Sequence, residues 1–189
     1  MASVHPGPLA EHYLACRCEH RESPRDFGRV PVHCDNVRLG KFAEAFPGCV
    51  KRIAKEGHEI ATHGHVHIQI FRQSATEFRE DVCRAKCYLE DLLGQPVVGY
   101  RAPDFSITRQ TLWAVEILAE LGFLYDSSIF PIQHAHYGIP GWPLHPVRVK
   151  LESGQSIVEL PIGTLLLAGR CWPVGGGEYH RLMPWPLIE

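Results

Sequence analysis

No stretch of this chain is apolar for long enough to span a membrane as a helix, which takes about 20 such residues. The N-terminus, Met1-Ala2-Ser3-Val4-His5-Pro6, has no basic segment followed by an apolar one, so no secretory signal is visible and a cytoplasmic setting is expected. Charge of one sign is not in excess: the formal net charge is −2, which leaves no electrostatic footprint for nucleic acid or a membrane surface. Cysteine lacks order. Seven cysteines without regular spacing favour reduced thiols over a disulfide framework, and Cys83 and Cys87 read as packing on one helix. The G-x-x-x-x-G-K-[ST] pattern is missing, so Gly175-Gly176-Gly177 reads as a turn and not a phosphate cradle. A G-x-S-x-G nucleophile elbow is missing too, and no internal repeat occurs. What is left is ordinary globular text, 45% apolar and 21% charged over 189 residues, long enough for one domain with a real core.

The chain has two textures. Residues 1–37 show neither a helical nor an alternating period and hold Cys16, Cys18 and Cys34 among scattered histidines, prolines and arginines. From Leu39 onward the spacing is regular. Apolar Phe42, Ala45, Phe46, Val50, Ile53 and Ala54 predict a helix over 41–55, interrupted near Pro47-Gly48, with a stop at Gly57. Ile60-Ala61 predicts a short buried strand. Ser74 with Glu77 three residues later is a capping box, and Phe78, Val82, Ala85, Leu89 and Leu92 make one apolar helix face ended by Gly94 and Pro96. Strands are predicted over 97–100, 123–125 and 157–160, and a second long helix from Thr108 to a stop at Gly122. Strands alternating with helices imply a mainly parallel sheet and an α/β fold, in which chemistry gathers at the carboxyl ends of strands.

Those ends carry the chain's most distinctive residues. His63 and His67 form an H-x-x-x-H pair just past the first strand, and imidazole is the commonest protein ligand for zinc-like ions. Taken alone, such a pair reads more readily as surface loop histidines. Arg101 follows the next strand, where a guanidinium can orient a carboxylate or hold a developing anion, or simply join a surface ion pair. Pro103 would fix the loop after it, and Asp104 reads as a solvent-facing turn residue. Asp126 follows the third strand in Asp126-Ser127-Ser128; it could bind a metal, bring its loop to substrate hydroxyls, or cap a turn. His134, His136, His145 and His180 each read as loop histidines, and Trp142, Trp172, Trp185, Tyr137 and Tyr179 either line a sugar groove or pack.

The succession His63-Gly64-His65-Val66-His67, then Tyr100-Arg101-Ala102-Pro103-Asp104-Phe105-Ser106-Ile107-Thr108, then Gly122-Phe123-Leu124-Tyr125-Asp126-Ser127-Ser128-Ile129-Phe130-Pro131 resembles the polysaccharide deacetylase family, the NodB-homology domain. It is most similar to the bacterial branch associated with exopolysaccharide synthesis, which also carries text like Gly175-Gly176-Gly177, Tyr179 and Arg181-Leu182-Met183-Pro184. The resemblance runs from about Leu39 to Pro184. It implies a distorted (β/α) barrel and metal-dependent hydrolysis of N-acetyl groups on a polysaccharide or oligosaccharide. It places a divalent metal, zinc by preference, on His63 and His67, gives Arg101 the task of steadying the catalytic base, and turns Pro103, Phe105, Asp126 and Ser127 toward substrate.

The family's first motif, a strand ending in an aspartate pair, does not appear upstream: Asp26 and Asp35 are the aspartates before His63, and neither follows an apolar strand. The last motif, Leu-x-x-His, does not follow Pro184. The third metal ligand, the base and the acid are therefore unassigned. Residues 1–37 are expected to be an atypical segment, out of frame or disordered, and 38–189 a partial deacetylase domain that lacks an N-terminal strand and the C-terminal end. Such a chain would bind its metal weakly. A catalytically inert carbohydrate-binding remnant and an allantoinase-like amidase acting on a small cyclic amide are the rival readings.

Overall fold

The computed structural model describes residues 36–174, with side chains from Leu39 onward. The chain divides into two units, Met1–Val32 and His33–Glu189, and every described residue belongs to the second. Strand β1 (Asn36–Arg38) is followed by helices α1 (Gly40–Ala45) and α2 (Pro47–Lys55), strand β2 (Ile60–Thr62), helix α3 (Ala75–Leu93), strand β3 (Gly99–Tyr100), helix α4 (Trp113–Glu120) and strand β4 (Tyr125–Asp126). Four strands complete the described residues: β5 (Val147–Lys150), β6 (Ser156–Glu159), β7 (Thr164–Leu167) and β8 (Arg170–Pro173). One six-stranded sheet runs β1-β2-β3-β4-β6-β5; its neighbours are parallel except β5, which pairs antiparallel with β6. β7 and β8 form a separate antiparallel hairpin on which Leu165, Leu166, Leu167 and Trp172 are about half exposed.

Helix α3 forms as its sequence dictates. Ser74 Oγ accepts from the Glu77 amide while Glu77 Oε2 accepts from the Ser74 amide at 2.8 Å, so two amides that a helix start leaves orphaned are satisfied. Phe78, Val82, Ala85 and Leu89 bury the inner face, and Gly94 closes the helix with its N–H on Glu90 O at 2.8 Å. Phe78 meets Tyr100 edge to face at 5.9 Å, and Tyr100 meets Phe123, so α3, β3 and the approach to β4 share one core with Val115, Leu118 and Ile157. The break in the predicted 41–55 helix falls at Phe46, between α1 and α2.

Several elements differ from the sequence expectation: β1 stands where an N-terminal strand was expected to be lacking, and the strand predicted over 123–125 lies at Tyr125–Asp126. The strand predicted over 97–100 shortens to Gly99–Tyr100 because Val97 bonds to α3 instead: its N–H reaches Glu90 Oε1 at 2.9 Å, and its carbonyl takes the buried Lys86 Nζ at 2.6 Å. The helix predicted from Thr108 starts at Trp113 because the Thr111 hydroxyl accepts from the Thr108 amide at 2.8 Å and donates to Ser106 O at 3.0 Å, which holds 108–111 as a turn. The antiparallel β5 was not foreseen; Val147 and Val149 face inward between exposed Arg148 and Lys150, a four-residue alternation too short to stand out. Cys49 and Cys171 are free thiols among the described residues.

Candidate functional site

The register of the sheet assembles the site. Thr62 pairs with Tyr100, Tyr100 with Asp126, and Asp126 with Glu159, so the last residues of β2, β3, β4 and β6 stand in one row. The ladder continues one step beyond, with Arg101 N–H on Thr62 O at 3.0 Å, Ser127 N–H on Tyr100 O at 2.9 Å and Leu160 N–H on Asp126 O at 2.8 Å. His63, Arg101 and Ser127 are therefore brought side by side at the carboxyl ends of parallel strands, where α/β folds keep their sites.

His63 Nδ1 lies 2.6 Å from the Arg101 carbonyl. A carbonyl only accepts, so this nitrogen carries the proton and Nε2 holds the lone pair. That is the arrangement of a metal-ligating histidine, whose tautomer is fixed by a hydrogen bond from its other nitrogen. Burial is the main cause that lowers the His63 pKa, partly opposed by the bond to Arg101, with His67 and the Arg101 charge lowering it further. Near neutral pH the ring is uncharged and available to a cation. The His67 ring stands edge-on to it with centroids 5.1 Å apart. His67 is half exposed, with its Nε2 3.9 Å from Asp104 Oδ1.

The loop that carries both imidazoles is gripped from α3. Asp81 accepts from two successive amides, His65 N–H at 2.8 Å and Val66 N–H at 3.0 Å. Gly64, between the two ligand candidates, has φ +80°, and a Cβ there would sit 2.5 Å from Asp81 Oδ2. Only glycine meets both the left-handed backbone and the close carboxylate.

The loop after β3 is bent just as sharply. Asp104 and Phe105 have φ of 52° and 51°, a conformation that costs non-glycine residues of order 1–3 kcal/mol each. The bend is held by Gln69 Nε2, which donates to Asp104 Oδ2 at 2.6 Å, and by Ser106 Oγ, which donates to Pro103 O at 2.6 Å and accepts from Ile70 N–H at 3.0 Å. Its effect is to turn Asp104 toward His67 and to send the Phe105 ring against Phe130 and Tyr137.

Arg101 donates from Nε to Ser127 O and from a terminal nitrogen to Ser127 Oγ, both at 2.8 Å. Below it is a buried carboxyl pair. Asp126 accepts from Ser128 Oγ, and Glu159 Oε1 accepts from Ser128 N–H at 3.3 Å and Ile129 N–H at 2.9 Å. Neither side chain has any exposed surface, and Asp126 Oδ2 and Glu159 Oε2 are buried without a hydrogen-bond partner among the described residues. Burial raises both pKa values, Asp126 to about 6 and Glu159 further because the Asp126 charge adds to its burial. A proton retained by the pair leaves a single charge for Arg101 to offset.

Of the residues singled out in the sequence, His63, His67 and Arg101 are thus brought together. Phe105 is half-buried at the rim, Pro103 and Asp126 are enclosed, and Ser127 is nearly so and occupied by Arg101. Asp26 and Asp35, like Gly175 to Pro184, lie outside the described residues. Two residues escaped sequence reasoning. Asp81 gave no signal, being one polar residue on the outer half of an amphipathic helix. Glu159 did, as an acid inside the apolar run Ile157-Val158-Glu159-Leu160. For a divalent ion, the donor set fits as a neutral, oriented imidazole beside a second one; no group of three ligating side chains occurs among the described residues.

Comparison with known proteins bears on this geometry. The profile of the polysaccharide deacetylase family matches residues 37–125, and that of a domain of unknown function, DUF3473, matches residues 127–189. A peptidoglycan deacetylase-like protein of Gibberella zeae is 33% identical over 134 residues, covering 65% of this chain and 39% of that protein. A peptidoglycan-N-acetylglucosamine deacetylase of Bacillus cereus is 37% identical over 79 residues, covering 41% of this chain and 29% of that protein. The chain thus spans less than half the length of these relatives. A solved structure from Mycobacterium smegmatis, described as a putative polysaccharide deacetylase, superposes with a TM-score of 0.55 at 33% identity, over 67% of this chain and 39% of that one. A Puue allantoinase structure, 22% identical with a TM-score of 0.52 over 65% of this chain and 36% of that one, shares the fold. The architecture described above is therefore part of the deacetylase-type (β/α) barrel.

Proposed function

We propose, from the match of residues 37–125 to the polysaccharide deacetylase family, that His63 and His67 are metal ligands of a hydrolase that removes N-acetyl groups from a carbohydrate polymer. The observation that carries this is the bond from His63 Nδ1 to the Arg101 carbonyl, which leaves Nε2 unprotonated beside His67 at the carboxyl end of a parallel sheet. A divalent ion bound there, zinc by preference for imidazole, supplies Lewis-acid activation of an acetamide and of its own water. The chain's residues do the rest. His63 is kept neutral, Asp81 holds its loop, and Arg101 is fixed by Ser127 with its charge over the Asp126–Glu159 pair.

The relatives named for peptidoglycan and its N-acetylglucosamine support an N-acetylhexosamine polymer as substrate. An exopolysaccharide is the narrower proposal, resting on the branch that the sequence most resembles, and a cytoplasmic setting is proposed with it. No helix of the described residues is long and apolar enough to cross a membrane. The lack of a third ligating side chain among the described residues favours a second reading, a carbohydrate-binding protein with weak metal affinity and no turnover.

Acetate release from N-acetylglucosamine pentamer, followed with the intact chain plus zinc, separates the two. Hydrolysis that stops on chelation and in His63→Ala is the expected result. Pentamer binding without zinc-dependent release would leave the non-catalytic reading, and hydrolysis that survives His63→Ala would contradict the site.

A further inference from the structure

A column of rings rises from the core beside this site to the surface. Phe130, with no exposed surface, lies nearly parallel to Tyr137 at 6.0 Å and 12°. Tyr137 in turn stacks on His134 at 3.8 Å and 20°. His134 is exposed, and its further neighbour is the His136 ring, edge-on at 5.8 Å. The column thus ends in a flat imidazole that has one ring face against Tyr137 and is open to solvent.

The loop that presents it is tightly built. Ile132 N–H and Ile139 N–H both reach Phe130 O at 2.8 Å, which closes residues 130–139 on themselves. Gly138 has φ +92°, and a Cβ there would collide with Ile132 O, so the closure needs glycine. The His136 amide also points at His134 Nδ1 at 3.3 Å. These contacts fix the imidazole plane before any ligand arrives, so little ordering cost remains for binding.

The column is connected to the histidine pair. Phe105 packs its edge on both Phe130 and Tyr137, and its neighbour Asp104 faces His67. A sugar ring laid on His134 would thus sit on a ring column that packs against the same loop as His67's partner Asp104. A pyranose has one apolar C–H face that suits a flat ring, with hydroxyls at its edge for groups such as the exposed Gln133 and His136.

We propose that His134, stacked on Tyr137, is a pyranose-binding platform that holds a unit of the polymer away from the one being deacetylated. The proposal rests on the carbohydrate reading above and deepens it: the substrate would be an oligomer engaged at more than one unit, not a single sugar.

The test is binding of N-acetylglucosamine monomer and pentamer to the intact chain, by titration calorimetry, for wild type, His134→Ala and His134→Phe, with zinc affinity measured on each. His134→Ala should weaken the pentamer about three- to tenfold, the range expected for one stacked ring pair. It should leave monomer and zinc affinities unchanged, and His134→Phe, which keeps a flat ring, should restore the pentamer. Pentamer affinity equal in wild type and His134→Ala would overturn the platform while leaving the carbohydrate reading intact. A parallel loss of zinc affinity would overturn it in favour of a metal-binding role for His134. A wild-type chain that binds neither saccharide would overturn both readings.

Discussion

At the scale of single residues, protonation divides the site into two halves. His63 is held neutral by burial, ready for a cation. Asp126 and Glu159 are raised by burial and by each other, so they keep a proton where ordinary carboxylates have lost theirs. Because the folded pair binds more protons than the unfolded carboxylates, its contribution to stability is fully present below about pH 4, the ordinary carboxylate range. It is lost as pH rises, first through the Asp126 value of about 6 and further as Glu159 is forced to ionise. Glu159→Gln keeps an acceptor for the Ser128 and Ile129 amides and a donor for Asp126 but cannot titrate. Thermal unfolding measured from pH 4 to 9 should therefore fall less steeply in Glu159→Gln than in wild type; an equal slope would mean that the pair shares no proton. The positions of His63 and Arg101 were legible because each is the first residue past a strand. The Asp126–Glu159 pairing was not, since the two are far apart in sequence and meet only through the β4–β6 register.

At the scale of elements, local chemistry predicted local structure well where the signals were consistent. The capping box, the apolar stripe and Gly94 fixed α3 to within a residue, and Ser74→Ala should cost about 1 kcal/mol by chemical denaturation without moving the midpoint of zinc binding. Failures came where a side chain captured the backbone, as Glu90 and Lys86 do at Val97 and Thr111 does at Thr108. The same kind of capture builds the site, since Asp81 on α3 takes the two amides that follow Gly64. Asp81→Ala frees the His63–His67 loop and should weaken zinc by about tenfold, the low end of the effect of removing a supporting partner from a metal site. Cobalt absorption would show the change directly, as a broadened spectrum in a variant whose far-ultraviolet circular dichroism is unchanged. Asp81→Asn, which keeps one acceptor oxygen, should recover part of the affinity.

At the scale of the whole molecule, the fold class followed from the alternation of helical and extended segments, and the sheet bears it out in four parallel pairings. Strand order was not legible, because nothing in the text of β5 announces that it returns antiparallel outside β6. Nor was β1, whose three residues fall in the transition between the two textures of the sequence, where periodicity offers too few positions to read. The outcome is a part of a barrel whose strand ends bring His63, Arg101 and Ser127 into one row, with α3 behind them and the ring column of the 130–139 loop at their side. If that row is a metal site, an ion that binds the folded chain must also stabilise it, by an amount set by its concentration relative to its dissociation constant. The most direct measurement is a zinc titration of the intact chain by calorimetry, repeated on His63→Ala and His67→Ala and paired with the shift in melting temperature. One ion per wild-type chain, a rise in melting temperature with zinc, and loss of both in each variant is the predicted result; zinc bound equally well by all three proteins would contradict the account.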